Sequence, residues 1–433
     1  MQDYSPKELL EFIGRSPTCF HVVNTLEGML CAGGFEKLQE SHRWTLKPGG
    51  KYYVTRNGSS IIAFCLPKII EGFHIMATHS DSPTFKLKEL PEIGVEKKYT
   101  KLNVEGYGGM LMSTWFDRPL SVAGRLLVRD GERIISRLVN VDRDLLLIPS
   151  LAIHMNRGVN EGYKFNVQKD LLPLYGDENV SGTFMAVVAE AARVDVQHIM
   201  GHDLFLYPRV HGSIWGENGC YISSARLDDL QCVFASVNSL LRAENCPKVA
   251  MMAVLDNEEV GSTTKQGAAS DFLKETVFRI CRESGMDELE RSRVMASSFM
   301  ISADNAQAAH PNHMEKSDAV NRPFMNEGIV IKYNANQRYT SDGVSSAIFK
   351  MICEKAGVPY QVYVNRSDIA GGSTLGNIAG TQISMNTVDI GLAQLAMHSS
   401  YETAGTKDTE YLVKAAKQFF ESNIQCEEDG YIL

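Results

Sequence analysis

The sequence predicts an α/β fold: a mixed, largely parallel sheet flanked by helices and interrupted by a β-rich insertion. Three observations carry that expectation. Strand-like apolar runs alternate with helical stretches in both the first and the last parts of the chain. Some of those runs are apolar throughout, Val249 to Leu255 most clearly, as strands buried on both faces are. Between about Lys88 and about His211 the alternation gives way to strand-like segments separated by turn signals. The expected division is a main domain over 1–88 and 212–433 with the insertion over 89–211.

Taken in order, Ser5-Pro6 and Ser16-Pro17 each offer a cap followed by proline in a first turn, and Gly33-Gly34 ends the second helical segment. Strand-like runs follow at Tyr52 to Val54, Ser60 to Cys65 and Phe73 to Ala77, where Thr78-His79-Ser80-Asp81-Ser82-Pro83 stops the last. Inside the insertion, Gly124 to Ser136 reads as a hairpin closed at Asp130-Gly131. Leu230, Val233, Phe234, Val237, Leu240 and Leu241 have the spacing of a helix with one buried face. After the strand at Val249 come a helix from about Phe272, a charged turn around Asp287 to Arg293, and the run Phe299 to Ala303. A helix over Gly343 to Lys355, strands over Pro359 to Val364 and Ile383 to Ile390, and a helix over Thr409 to Glu421 complete the chain.

Composition narrows the function. A chain of 433 residues, 44% of them apolar, is an ordinary globular protein for which two domains are the better prior. Its formal charge of -9 argues against nucleic acid as a partner, because phosphate contacts need a basic face. The first residues lack the basic and apolar segments of a secretory signal, and no apolar run is long enough for a bilayer, so a cytoplasmic protein without a membrane partner is expected. Nine cysteines with no CxxC pair read as reduced, mostly packed thiols.

The chemistry concentrates where apolar runs end. His79, the pair Glu258/Glu259, Asp304 and, after a short loop, His398 each follow such a run, and Asp228 stands just before a helix. Singly, each has an ordinary reading as a loop histidine, a turn residue or a cap. A parallel sheet, however, brings those strand ends to one edge. Adjacent glutamates raise each other's pKa unless a cation or a proton compensates, which points to a metal or an acid/base site. Two imidazoles and three carboxylates suit a pair of divalent cations, zinc first, with manganese or cobalt also open. Asp81 fits a carboxylate that accepts the imidazole's other N–H, or one that caps its own loop. The residues alone do not separate the roles of Glu258 and Glu259.

His79-Ser-Asp81-Ser-Pro, Arg226-Leu-Asp228-Asp-Leu, Asp256-Asn-Glu258-Glu259-Val-Gly-Ser, Ser302-Ala-Asp304 with His310-Pro-Asn, and Gln394-Leu-Ala-Met-His398-Ser resemble the aspartyl aminopeptidase family of dinuclear zinc peptidases. Ile148-Pro-Ser-Leu-Ala-Ile-His154, Lys332-Tyr-Asn-Ala-Asn-Gln-Arg338-Tyr, and Arg366-Ser-Asp368 with Gly371-Gly-Ser-Thr-Leu-Gly376 extend the resemblance over nearly the whole chain. It implies two zinc ions per subunit bridged by Asp228, one completed by His79 and Asp304, the other by Glu259 and His398, with Glu258 as general base. It further implies that the insertion is a dimerisation domain, that His154 reaches a neighbouring subunit's site, and that subunits assemble as a dodecamer built from dimers. The implied substrates are peptides with a free N-terminus. Lys332 is the cation to set against an acidic first side chain, a solvated strand lysine being the other reading. His202 and His211 read as structural or surface residues, and His310 and His313 as loop or interface residues, with a place lining the site as the other reading for His310. A neutral, leucine-like preference, or a two-metal amidohydrolase acting on N-acyl amino acids, are the alternatives.

Overall fold

The computed structural model describes residues 5–433. Its centre is a nine-stranded sheet in the order Glu36–Leu38, Lys51–Arg56, Ser60–Cys65, Val249–Leu255, Phe73–His79, Phe299–Ala303, Asn386–Gly391, Ile329–Tyr333, Tyr360–Val364. Five of the eight neighbouring pairs are parallel and three antiparallel, the mixed sheet the sequence predicts. The four adjacent strands Val249–Leu255, Phe73–His79, Phe299–Ala303 and Asn386–Gly391 all run in one direction.

The continuous apolar runs are explained by what lies on each face. Ala250, Met252 and Val254 join one buried cluster, built largely with helices Leu227–Arg242, Gly343–Ala356 and Asp408–Glu421. Val249, Met251, Ala253 and Leu255 join another, under helices Phe272–Glu283 and Leu375–Gln382. Successive side chains of a strand point to opposite faces, so a strand between two helical layers has no polar face to show. Each side chain of Met or Leu size buried this way contributes roughly 1.5–3 kcal/mol.

From Thr84 to Pro208 the chain forms a separate six-stranded antiparallel sheet with its own apolar cluster around Phe85, Trp115 and Phe184. The hairpin Leu120–Asp130/Arg133–Asn140 turns where Asp130-Gly131 predicts, with Gly131 at φ 61°. This sheet starts at Thr84, directly after the His79 loop, so one loop joins the two sheets. A third sheet of five short strands includes Tyr221–Ser224, Ala393–Leu395 and Glu402–Gly405 and closes over the strand ends. None of the described helices is long and apolar enough to cross a membrane.

Several elements differ from expectation. Asp287 to Arg293 is not a turn but the start of helix Glu288–Ala296, with a capping box between Asp287 and Glu290. The second helix begins at Cys19 behind Thr18, two residues after Ser16-Pro17. The insertion contains a helix, Phe184–Ala192, and the strand expected from Ile383 starts at Asn386 because Leu375–Gln382 is helical up to that point.

Candidate metal centre

Three of the parallel strands deliver their next residues to one edge of the sheet, and the fourth reaches it through Ala393–Leu395. His79 is the last residue of its strand, Asp304 follows Phe299–Ala303, Glu258 and Glu259 begin a single 3-10 turn behind Val249–Leu255, and His398 follows Ala393–Leu395. Asp228 and Asp229 enter from the first turn of helix Leu227–Arg242, where their backbone departs from helical angles and turns both carboxylates inward.

Asp228 lies at the middle. Its Oδ1 is 3.4 Å from His79 Nε2 and its Oδ2 is 3.6 Å from His398 Nε2. His79 Nε2 also lies 3.9 Å from Asp304 Oδ1, and His398 Nε2 lies 3.4 Å from Glu259 Oε2. The ligand-bearing atoms thus form two groups that share Asp228: His79, Asp228, Asp229 and Asp304 on one side, and Asp228, Glu259 and His398 on the other. A third group, His79 with Glu258 and Glu259, overlaps the first.

The fit to cations rests on what these oxygens lack. Asp228 Oδ1, Asp229 Oδ1 and Glu259 Oε1 are buried and make no hydrogen bond among the described residues. Uncompensated buried carboxylate oxygens are costly, and a divalent cation is the partner that oxygen and imidazole donors at this spacing accept. The protonation pattern agrees. Burial and the charges of Asp304, Asp81 and Asp228 push the Glu258 carboxyl up to about 8, against the His79 charge that lowers it. Burial and the Asp228 charge push Glu259 well above the carboxylate range. Asp228 is held well below it, because its contacts with His398 and His79 outweigh its own burial. Zinc suits such a mixed histidine and carboxylate site.

The chain's own residues hold the site rigid. His79 Nδ1 lies 3.1 Å from the backbone carbonyl of Asp81, closer than the 3.4 Å to the Asp81 carboxylate. The same Asp81 carboxylate also accepts the backbone N–H groups of Glu258 (3.1 Å) and Glu259 (3.2 Å). The Asp81 carbonyl is thus the nearer acceptor for the His79 Nδ1–H, and the Asp81 carboxylate also orients the glutamate pair. Glu402 does the equivalent on the other side, accepting from the backbone N–H of Asp228 at 3.0 Å and of His398 at 2.7 Å. Asp229 Oδ2 accepts from the backbone N–H of His79 at 3.2 Å.

Lys332 is buried beside this centre. Its Nζ donates to the Asn305 carbonyl at 2.8 Å and lies 3.8 Å from Asp304 Oδ2, so the solvated-lysine reading does not describe it. A cleft lined by the metal-site residues also takes in Lys332, Tyr339, Tyr363, Asn365 and Gly372. His154 is exposed within the insertion and is not among the residues lining that cleft. His310 and His313 line a neighbouring hollow that shares Tyr363 and Asn365 with it. His202 is partly buried within the insertion's sheet, and His211 lies at the exposed exit from it. Gly376 packs against Asp389 and Ser302, and Gly371 against Asn365, so neither brings backbone onto the metal-binding atoms.

A sequence model described as aminopeptidase I zinc metalloprotease (M18) matches residues 12–420. The chain belongs to the M18 family. A probable M18 family aminopeptidase 2 of Clostridium acetobutylicum is 46% identical over 96% of this chain and 98% of that protein. Among solved structures, Ape4, seen in a complex with Nbr1, superposes with a TM-score of 0.93 at 35% identity, covering 97% of this chain and 88% of that one. Aminopeptidase mApe1 of S. cerevesiae, determined as a dodecamer, superposes at 0.84 with 29% identity over 96% of each chain. This M18 enzyme is therefore a metallopeptidase that acts as an aminopeptidase, with zinc as the family's metal. Asp229, Glu402 and Tyr107, all engaged at its centre, are the residues that sequence reasoning missed. Only Asp229, adjacent to Asp228, carried a local signal.

Proposed function

We propose that this M18 aminopeptidase removes the N-terminal residue of peptides at a dinuclear zinc centre and prefers acidic first residues. The observation that carries the reading is Asp228, whose two oxygens face His79 and His398 separately while buried oxygens on both sides lack partners. His79 and Asp304 would hold one ion, and Glu259 and His398 the other. Zinc so bound supplies Lewis acidity towards the scissile carbonyl and acidifies a water.

Glu258 receives the proton of that water and returns it to the leaving amine, work worth on the order of 10²–10⁴ in rate. It is free to do so because its backbone, not its carboxylate, is tied to Asp81. The acidic surroundings of the two ions also favour a substrate ammonium beside them, which restricts cleavage to the first residue. Lys332, buried and charged in the same cleft, gives an acidic side chain an opposite charge in a partly dry pocket. The dodecameric relative and the exposed apolar residues of the insertion, among them Leu90, Ile134 and Met155, favour assembly through the 89–211 insertion. In such an assembly, exposed His154 would reach a neighbouring subunit's cleft.

The test is a panel of Asp-, Glu-, Leu- and Ala-anilides beside their N-acetylated forms, run with zinc, manganese and cobalt. Turnover of free but not blocked substrates, fastest for the acidic pair, supports the reading. Hydrolysis of the blocked forms would move the enzyme to the N-acyl amidohydrolases.

A further inference from the structure

We propose that Tyr107, a residue of the inserted sheet, is a positioning residue for Glu258 and makes the insertion a working part of its own subunit's active site. Tyr107 ends the strand Tyr99–Tyr107, and its ring packs edge-on to Phe205 of the neighbouring insertion strand Ile199–Pro208, with centroids 5.6 Å apart. Its hydroxyl extends out of that sheet into the catalytic loops. There it donates to Asp81 Oδ2 at 2.7 Å and accepts from Asn257 Nδ2 at 2.8 Å.

Both partners bear on one short turn. Asp81 receives the backbone N–H groups of Glu258 and Glu259. Asn257 is the residue immediately before them, in the left-handed region at φ 64°, and its Oδ1 is held by Thr264 Oγ1 at 2.8 Å and Gln266 Nε2 at 2.7 Å. A turn beginning with a left-handed residue is set by such side-chain contacts more than by its own backbone preference. The phenol therefore fastens the turn from both ends: through Asn257 at its start and through Asp81 at its two amides. Without the hydroxyl, Asp81 Oδ2 keeps only one of its hydrogen bonds and the Asn257 amide loses its acceptor.

This rests on Glu258 as the general base, and its consequence is kinetic. A base displaced by a fraction of an ångström loses rate more than substrate affinity, since misplacement by 1 Å costs on the order of 10²-fold. Tyr107→Phe keeps the ring against Phe205 and removes only the hydroxyl. The expected result is a roughly tenfold fall in kcat, a KM within about twofold of the parent and an unchanged zinc content.

The deciding arm repeats the substitution in a Glu258→Gln background. If Tyr107 acts by placing Glu258, the second background shows little further loss, because the group being placed is already gone. Tyr175→Phe, which removes an insertion hydroxyl bonded, among the described residues, to Thr183, serves as the control and keeps parental kcat. A Tyr107→Phe enzyme with kcat within twofold of the parent overturns the proposal, as does an equal loss in both backgrounds. Should Tyr107→Phe fail to fold, Asn257→Gly, which tolerates the positive φ, is read by the same two criteria. If Glu258→Gln itself keeps near-normal turnover, the base assignment fails separately from the Tyr107 result.

Discussion

Replacing Lys332 by Met separates substrate preference from catalysis. The ammonium sits against Asp304 and the Asn305 carbonyl and 5.5 Å from the Tyr339 ring centroid. Burial works against its charge, yet the neighbouring Asp304, Tyr339 and Asp389 outweigh it and hold the group above the ordinary lysine range. That direction favours the charged form of Lys332. A charge-assisted hydrogen bond to a substrate carboxylate is worth roughly 1.5–3 kcal/mol, which corresponds to about 10- to 150-fold in kcat/KM. Methionine keeps the length of the stem and removes the charge. It also removes a neighbour of Asp304, so absolute activity falls for every substrate. The ratio of kcat/KM for Asp-anilide over Leu-anilide cancels that common loss. Lys332→Met is expected to lower the ratio by 10-fold or more. A ratio within twofold of the parent refutes Lys332 as the acidic-residue determinant while leaving the aminopeptidase assignment intact.

His154→Phe is expected to reduce kcat by roughly 100-fold with zinc content unchanged, if it stabilises the developing oxyanion in the neighbouring site as a single hydrogen-bond donor does; an isolated subunit that is as active as the oligomer would remove the cross-subunit role. His74 gives a pH prediction away from the reaction. It is buried, stacked 4.6 Å from Phe419, and makes no side-chain hydrogen bond among the described residues. Burial, aided by the Lys248 charge, pushes it down to about 3 from the ordinary 6.5. Its folded pKa is depressed, so the stability it contributes is present above about pH 6.5 and is lost as pH falls towards about 3, at roughly 1.4 kcal/mol per unit. His74→Phe should flatten the fall of stability between pH 6.5 and 4, measured with chelator present so that metal loss does not contribute; an unchanged slope contradicts the buried neutral ring.

Much of this site is legible in the sequence because the four central parallel strands are buried on both faces. Their apolar runs stop abruptly, and His79, Asp304 and the Glu258/Glu259 pair stand at the stops. Glu402 and Tyr107 are invisible at that level. Tyr107 reaches Asp81 across 26 positions, and Glu402 reaches Asp228 across 174 besides holding nearby His398, each from a strand end that looks ordinary on its own. Asp81 shows the intermediate case: its proximity to His79 is readable, but its attachment to the Glu258 and Glu259 amides arises only when two strands lie side by side. The elements misread are those with weak local signals. Leu375–Gln382 contains two glycines and a threonine, poor helix formers stabilised by packing under the sheet. Glu288–Ala296 buries only Val294, so its periodicity carries little information.

Asp228→Asn tests the shared carboxylate most directly. Asn keeps the shape but presents one neutral amide oxygen where the parent presents two carboxylate oxygens, so at most one of the two ligand groups can retain an oxygen donor from this position. Metal analysis of the purified, zinc-equilibrated chain is expected to give about two zinc ions per subunit for the parent and one or fewer for Asp228→Asn, with turnover lost in step. Two tightly held ions in Asp228→Asn, or a parent that takes up one ion at full activity, would contradict a dinuclear centre bridged by Asp228.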